Sequence, residues 1–244
     1  MPLLNRRTTT RTATLAVSVL AAVVLASAPA LAAKKSVKAK RPTPGGVCSP
    51  LGATATGTAL TCVRVGAKLQ WQSKGSKLNP YRFGENFEWT QSSNGTNPGA
   101  LISTRRLTVV EYLPDASGWV SEHTSNQQED IFAKAGGRAV RGVKVTYTLV
   151  SATDDTSRNL GSLTTFWLGD DRDAGCCTDG LINWGGTPDD AVDAYLSLGD
   201  GATRTGIMVF ARTNEQLGAK PLMRLAWNDV RTTRQTYVYF ALTA

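Results

Sequence analysis

The stretch 143–149, VKVTYTL, decides the fold class of this 244-residue chain. Apolar and polar side chains alternate at every position from Val143 to Leu149. Successive side chains of a β-strand point to opposite faces of the sheet, so a period of two buries one face and leaves the other in water. The pattern predicts a half-buried strand over residues 140–150 in a mostly β protein.

Short runs of β-branched and aromatic residues lie on both sides of this strand. The longest is 101–113, which Arg105 and Arg106 interrupt. Short strands separated by turn residues, at a spacing of about ten residues, favour an antiparallel sandwich over residues 101–244. Only 189–198, which follows Thr187 and Pro188, also carries helix-start signals. The other predicted strands are 119–120, 128–134, 163–168, 194–198, 204–212, 222–227 and 236–242.

A small β-hairpin module is predicted over residues 47–72. An alternating run begins at Cys62 and resumes after Gly66, which is typical of two short strands joined by a tight turn. The four cysteines of the chain allow three disulfide connectivities. The simplest pairs Cys48 with Cys62 and leaves Cys176 to Cys177, but adjacent Cα atoms are about 3.8 Å apart, which is below the usual disulfide range. The alternatives link the hairpin to the later loop, and the sequence does not choose among the three.

Residues 73–100 are rich in Ser, Asn, Gly and Pro but contain Phe83, Phe87 and Trp89. Aromatic rings of this size are usually buried. We interpret the segment as an ordered connector or an edge strand rather than a free linker.

Residues 1–32 have the order of a secretory signal peptide. Basic residues up to Arg11 precede an apolar stretch over 13–28 and the small-residue sequence APALA at 28–32. The apolar stretch is shorter than the roughly 20 residues that a membrane-spanning helix needs, and Lys34 and Lys35 follow it. We expect a secreted, extracellular protein without a transmembrane segment in the mature chain, and association with the cell wall is a hypothesis.

The charges of the chain are unevenly distributed. No Asp or Glu occurs between Met1 and Gly84, against thirteen Lys and Arg, whereas the remaining 160 residues carry fourteen basic and nineteen acidic residues. Residues 33–46 combine basic residues with Pro and Gly and have too few apolar side chains to order themselves, so they predict a disordered basic linker. It would bind an anionic cell-envelope polymer or act only as a solvated spacer. It lacks interleaved aromatics, so no specific nucleic-acid partner is expected.

The hairpin region resembles a short module of secreted actinobacterial proteins. The resemblance rests on Cys48, on Leu60-Thr61-Cys62 and on the closing Leu69-Gln70-Trp71. It covers about 25 residues and implies a disulfide-pinned element to which no functional residue is assigned.

The body is similar to an immunoglobulin-like sandwich of unassigned function in Gram-positive secreted proteins and lipoproteins. The similarity rests on VKVTYTL at 143–149, WL at 167–168, LSLGDG at 196–201 and GIMVF at 206–210. It implies an all-β, immunoglobulin-like antiparallel sandwich that serves as an accessory or binding module rather than an enzyme. Unlike the lipoproteins, this chain lacks a lipid-attachment cysteine.

The segment 169–200 contains eight aspartates and one arginine. Calcium binds six to eight oxygen ligands, which an aspartate-rich loop can supply. The spacing is not that of an EF-hand, and a solvated acidic loop is the favoured interpretation, with no required cofactor. If calcium binds, the ligands would be Asp170, Asp171, Asp173 and Asp179.

The six tryptophans raise the hypothesis of sugar binding, because sugar rings stack on exposed aromatic faces. Trp119 and Trp184 lie next to glycine in predicted loops and are the stacking candidates, whereas Trp167 and Trp227 lie in apolar runs and are assigned to the core.

No enzymatic constellation stands out in the sequence. His123 is the single histidine and has no nucleophile and carboxylate beside it in the sequence. Glu111, Glu122 and Glu129 would act as paired carboxylates only if the fold brought them together. The sequence favours a secreted, non-enzymatic cell-surface accessory or binding module of unknown ligand. The alternative is a cell-wall- or carbohydrate-directed hydrolase or a carbohydrate-binding protein.

Overall fold

The computed structural model describes residues 41–123, 128–161, 164–169, 190–193 and 195–243. These residues form a mostly β, antiparallel, sandwich-like structure with a small N-terminal hairpin, as the sequence predicts. No helix in the described part of the chain is long and apolar enough to cross a bilayer.

The hairpin consists of β1 (Leu60–Val65) and β2 (Lys68–Ser73), which pair antiparallel with Cys62 opposite Trp71. Cys48 and Cys62 form a disulfide, as in the simplest of the three connectivities that the sequence allows, with the two Cα atoms 5.7 Å apart. Gly45 and Gly46 hydrogen-bond with the backbone of Trp71, so the last residues of the predicted linker 33–46 are ordered against β2.

The larger sheet consists of β3 (Asn86–Ser92), β4 (Ile102–Leu113), β5 (Ala139–Ala152) and β7 (Thr203–Arg212), in the order β3-β4-β5-β7. The alternating stretch 143–149 lies in β5. Strand β3 lies within the predicted connector 73–100 and forms one edge of the sheet, so this sheet begins before residue 101.

The smaller sheet has the order β6-β8-β9, with β6 (Thr164–Leu168), β8 (Leu222–Asn228) and β9 (Gln235–Ala241). One buried cluster contains side chains of both sheets, among them Leu107, Tyr147, Phe210, Phe166 and Phe240. Tyr147 belongs to the alternating run of β5, and its inward partners there are all completely buried. The side chains of β5 therefore alternate for the predicted reason, because one face of the strand is buried in the core and the other is in contact with water.

The strands predicted at 119–120 and 128–134 are wrong. These residues belong to helix α1 (Ser117–His123) and helix α2 (Gln128–Ala135). The Asp115 carboxylate accepts hydrogen bonds from the Ser117 N–H and hydroxyl, and so holds the start of α1. Both helices pack on an apolar patch of the outer face of the larger sheet, where Val120 and Ile131 meet Val209.

The segment 190–198 contains neither the predicted helix nor the predicted strand within its described residues. Ala191 forms a parallel bridge with Ile207, and Ser197 forms an antiparallel bridge with Asn159. The approach to β7 requires glycine, because a β-carbon at Gly206 would lie 2.6 Å from the Asp190 carbonyl oxygen. A third helix, α3 (Asn214–Leu217), which the sequence analysis does not predict, begins with a capping box formed by Thr213 and Gln216.

An arginine lies inside the sandwich. Arg105 on β4 is completely buried and donates hydrogen bonds to the carbonyl oxygens of Ser157, Asn159 and Leu160, at 2.8, 2.7 and 2.6 Å, and to Ser103 Oγ at 3.0 Å. Burial lowers the pKa of Arg105. These oxygens make a buried cation tolerable, because buried charges persist only where hydrogen bonds satisfy them.

Candidate functional site

An open cleft of about 1130 Å³ lies where the hairpin meets the sandwich. Ligand pockets for small molecules usually enclose about 300–1,000 Å³, so an open space of this size suits a segment of a larger ligand. Its walls come from the disulfide loop, from β1, from the segment 74–85 and from the end of β9.

The cleft exists because the segment after β2 docks on the free edge of β9. Tyr81 hydrogen-bonds through its N–H to the Tyr239 carbonyl oxygen at 2.9 Å and through its carbonyl oxygen to the Ala241 N–H at 2.7 Å. Gly75 has a φ of +81°, and a β-carbon there would lie 2.6 Å from Val238 Cγ2. Glycine therefore meets both demands of this position, the left-handed backbone and the close approach.

The charge of the cleft is positive. Arg64, Lys74 and Arg82 line it together with one carboxylate, Glu85, and Arg64 and Arg82 are exposed. Lys74 Nζ lies 2.5 Å from Glu85 Oε2, which also accepts a hydrogen bond from the Arg82 N–H at 2.6 Å. Burial alone would raise the pKa of Glu85, but the hydrogen bonds from Lys74 and Arg82 outweigh burial and lower it. The described residues that line the cleft carry a net charge of +2 at neutral pH.

Apolar side chains accompany these cations. Leu51 is 56% exposed and Leu78 is 51% exposed, and both line the cleft with the half-buried Phe83. Exposed apolar groups beside cations suit a ligand that has both C–H surface and negative charge.

Trp119, one of the two predicted stacking residues, is part of a second cluster. Its ring stacks on His123 with centroids 4.7 Å apart and an interplanar angle of 17°, and its Nε1 donates to Asp190 Oδ2 at 3.3 Å. His123 covers one face of the indole, so that face offers no stacking surface to a sugar. The other stacking candidate, Trp184, lies outside the described residues.

Both nitrogens of His123 face protein oxygens. Nε2 lies 2.8 Å from Asp190 Oδ2 and Nδ1 lies 2.9 Å from the Trp119 carbonyl oxygen. No serine or cysteine of the described residues hydrogen-bonds to this ring, so these contacts link α1 to residue 190 and do not form a nucleophile–base pair.

The predicted carboxylate ligands of calcium, Asp170, Asp171, Asp173 and Asp179, lie outside the described residues, as do Cys176 and Cys177. Three other aspartates of the acidic segment are described, and each has its own protein partner. Asp190 pairs with His123, Asp193 accepts from the Tyr195 N–H at 2.9 Å, and Asp200 pairs with Arg158 at 2.9 Å. Within the described ranges, no group of three or more potential ligands could hold a metal ion.

Two of the three glutamates considered for hydrolysis, Glu111 and Glu122, do not line the cleft. Glu111 lies opposite Lys144 in the pairing of β4 with β5, and Glu122 is exposed on α1. The side chain of Glu129 is not among those described.

Sequence reasoning missed the cleft residues Arg64 and Arg82 and misplaced Trp167. The sequence does contain a signal for the two arginines, because both belong to the region up to Gly84 that has no Asp or Glu. Trp227 is in the core as predicted, but Trp167 is only partly buried and contacts Arg224 on the outer face of the smaller sheet. Alternation along TTFWL could have indicated this, because Phe166 and Leu168 take the inner positions.

Comparisons of the chain with models of known protein families, with curated proteins and with solved structures found no match.

Proposed function

We propose that this protein is an exported, non-catalytic binding module that holds an anionic polymer of the cell envelope in the cleft between hairpin and sandwich. The observation that carries the proposal is the pairing of two exposed arginines with exposed leucines in one acid-poor cleft. The signal-peptide pattern of residues 1–32 supports export, and the likeness to secreted accessory modules agrees with a binding role.

The expected ligand follows from the chemistry of the cleft. Arginine and lysine recognise phosphate and carboxylate groups, and the C–H surface of a polyol or sugar backbone can cover Leu51 and Leu78. The basic segment 33–46, which precedes the hairpin in the chain, would supply further cationic residues for such a polymer.

Binding of poly(glycerol phosphate) to the purified protein tests the proposal. The variant R64Q/R82Q removes the two cleft arginines without introducing an acidic residue. Each basic residue near an anionic surface contributes about 1 kcal/mol, so the double variant should bind about 30-fold more weakly at low salt. Added salt should weaken the wild type more than the variant, because screening removes an attraction that the variant has already lost.

The matched control is R231Q/R234Q, which removes two exposed arginines from the turn between β8 and β9. It has the same net charge as R64Q/R82Q, and the basic segment 33–46 is identical in all three proteins. The control should bind within about threefold of the wild type, since it leaves the cleft intact. Equal weakening by both variants would mean that overall charge and not the cleft binds the polymer.

No observation among the described residues favours the hydrolase alternative. Glu111 and Glu122 lie outside the cleft, and His123 is engaged by Asp190 and the Trp119 carbonyl oxygen. The carbohydrate-binding alternative, in contrast, has support on another surface.

A further inference from the structure

The outer face of the smaller sheet carries an arginine between two aromatic rings, on three adjacent strands. We call Trp167 of β6, Arg224 of β8 and Tyr237 of β9 the arginine platform. Arg224 lies opposite Trp167 in the strand pairing, with its Cζ 4.3 Å from the centroid of the indole and 5.4 Å from the centroid of the Tyr237 ring. The aromatic faces attract the guanidinium and restrict its orientation.

Among the residues that the structure describes, this guanidinium has no anionic partner. Nε of Arg224 is buried and has no hydrogen-bond partner, and no carboxylate among the described residues forms an ion pair with Arg224. The three strands contain no Asp or Glu. A guanidinium has five N–H donors in a planar fork that fits carboxylate and phosphate groups. The rings therefore position a cation whose donors the described protein groups do not use.

Tyr237 adds a stacking surface beside the cation. Its side chain is held by a 2.5 Å hydrogen bond from the hydroxyl to Gln235 Oε1, yet the residue is 46% exposed. Ala226 lies opposite Tyr237 on β8, and its small side chain leaves the ring free of a bulky cross-strand neighbour on that strand. An exposed, fixed tyrosine ring is a surface on which a sugar ring can lie flat.

We propose that the arginine platform binds a sugar that carries an oxyanion, with the sugar ring on Tyr237 and the carboxylate or phosphate on Arg224. The site shares no residue with the cleft, so it is a second binding surface and does not depend on the function proposed for the cleft. The two exposed features complement each other, because a neutral sugar would use only the ring and an inorganic anion would use only the guanidinium.

A series of three sugars that differ only at C6 tests this inference. Galactose, galacturonic acid and galactose 6-phosphate are titrated into the full protein, and NMR chemical shifts give the dissociation constants. At least one acidic sugar should bind tenfold or more tightly than galactose, and the comparison of carboxylate with phosphate identifies the preferred group. Equal binding of all three sugars would overturn the proposal.

Variants locate the site. Arg224→Gln should remove the preference for the acidic sugar, and Arg224→Lys should restore only part of it, because an ammonium has no planar fork. Tyr237→Ala should weaken binding of the acidic sugar at least fivefold, since the stacking surface is lost. Tyr195→Ala, which removes a tyrosine that is 62% exposed outside the platform, should change nothing. Wild-type affinity in both Arg224→Gln and Tyr237→Ala, or an equal loss in Tyr195→Ala, would refute the assignment.

Discussion

Replacement of Arg105 by methionine should destabilise the protein far more than the same replacement of its neighbour Arg106. Methionine fills part of the same volume but donates no hydrogen bond. The carbonyl oxygens of Ser157, Asn159 and Leu160 would then lose the buried donor that the guanidinium supplies. Each buried acceptor left without a donor costs about 1–3 kcal/mol, so the three together represent about 3–9 kcal/mol.

Part of this cost is offset, because methionine also removes the desolvation penalty of a buried guanidinium, which amounts to several kcal/mol. The loss of a donor to three buried acceptors outweighs this gain, so we expect a net loss of about 3 kcal/mol in the free energy of unfolding. Since domains are usually stable by about 5–15 kcal/mol, the variant should still fold but unfold at much lower denaturant.

Arg106 is the matched control on the same strand. Its Nη2 lies 2.7 Å from Glu88 Oε2, and the two side chains are 46% and 49% exposed. Exposed ion pairs of this kind contribute about 0.2–1 kcal/mol, so Arg106→Met should cost less than about 1 kcal/mol. Arg105→Lys should fall between the two, because it keeps the charge but has three donors in place of five.

Urea unfolding of the wild type and the three variants, followed by tryptophan fluorescence, gives these free energies. The dependence of the unfolding free energy on urea concentration should not change, which shows that the same surface is exposed in each case. A loss below 1 kcal/mol in Arg105→Met, or a loss equal to that of Arg106→Met, would refute the reasoning that the carbonyl contacts of Arg105 support the core.

Three other predictions concern stability. Burial raises the pKa of Tyr147 to about 12, and no described residue hydrogen-bonds to its hydroxyl. Tyr147→Phe should therefore be neutral or stabilising by up to about 1 kcal/mol in urea titrations at pH 8. Because this pKa is higher in the folded state, the wild type should lose stability relative to Tyr147→Phe as the pH rises from 10 towards 12, and an unchanged difference would contradict the burial argument. The double replacement of Cys48 and Cys62 by alanine opens a loop of about 15 residues and should lower the free energy of unfolding by about 3 kcal/mol in the same assay. An unchanged free energy would show that the loop does not constrain the unfolded chain. Gly75→Ala places a β-carbon 2.6 Å from a side chain of β9, so it should lower the free energy of unfolding by about 1–3 kcal/mol more than Gly66→Ala. At Gly66 φ is also positive, but no atom lies within 4 Å of the added β-carbon, so equal losses would contradict the close contact.

The sandwich was predictable because its two faces differ in their access to water. In β5 the predicted bounds 140–150 and the observed Ala139–Ala152 nearly coincide, since the inner side chains are buried and the outer threonines are wet. The hairpin could be predicted for a local reason, because its two strands and the residues that they pair with lie within about 30 residues of sequence. The sequence left the pairing of the cysteines open, because it also allowed links to the distant Cys176 and Cys177.

The helices were missed because their packing surface lies on a distant strand. The segment GIMVFAR of β7 is buried at every position, which alternation alone does not explain. One side of it faces the sandwich core, and the other, with Val209 and Ala211, faces Val120 and Ile131 of the helices. The continuous burial of β7 is the signal that its outer face is covered, but only the fold shows which residues cover it.

The positive charge of the cleft could be predicted from the sequence, but the position of the cleft in the fold could not. The absence of Asp and Glu before Glu85 indicates that the N-terminal region is cationic. The position of Arg82 beside the hairpin, however, depends on the docking of Tyr81 against β9, more than 150 residues later in the chain. Contacts of this sequence separation leave no local periodicity, so no pattern within the segment specifies them.

Three arginines of this chain show why residue type alone does not assign a function. The donors of Arg105 are used by backbone carbonyl and hydroxyl oxygens, so its replacement should reduce stability. Arg224 and the cleft residue Arg82 lie at the surface, and no carboxylate of the described residues forms an ion pair with their guanidinium groups. Their replacement should therefore reduce ligand affinity but change the free energy of unfolding by less than about 1 kcal/mol. If stability and affinity changed together in all three cases, the distinction between donors used by the fold and donors left for a ligand would fail. The two binding proposals would then lose their common physical basis.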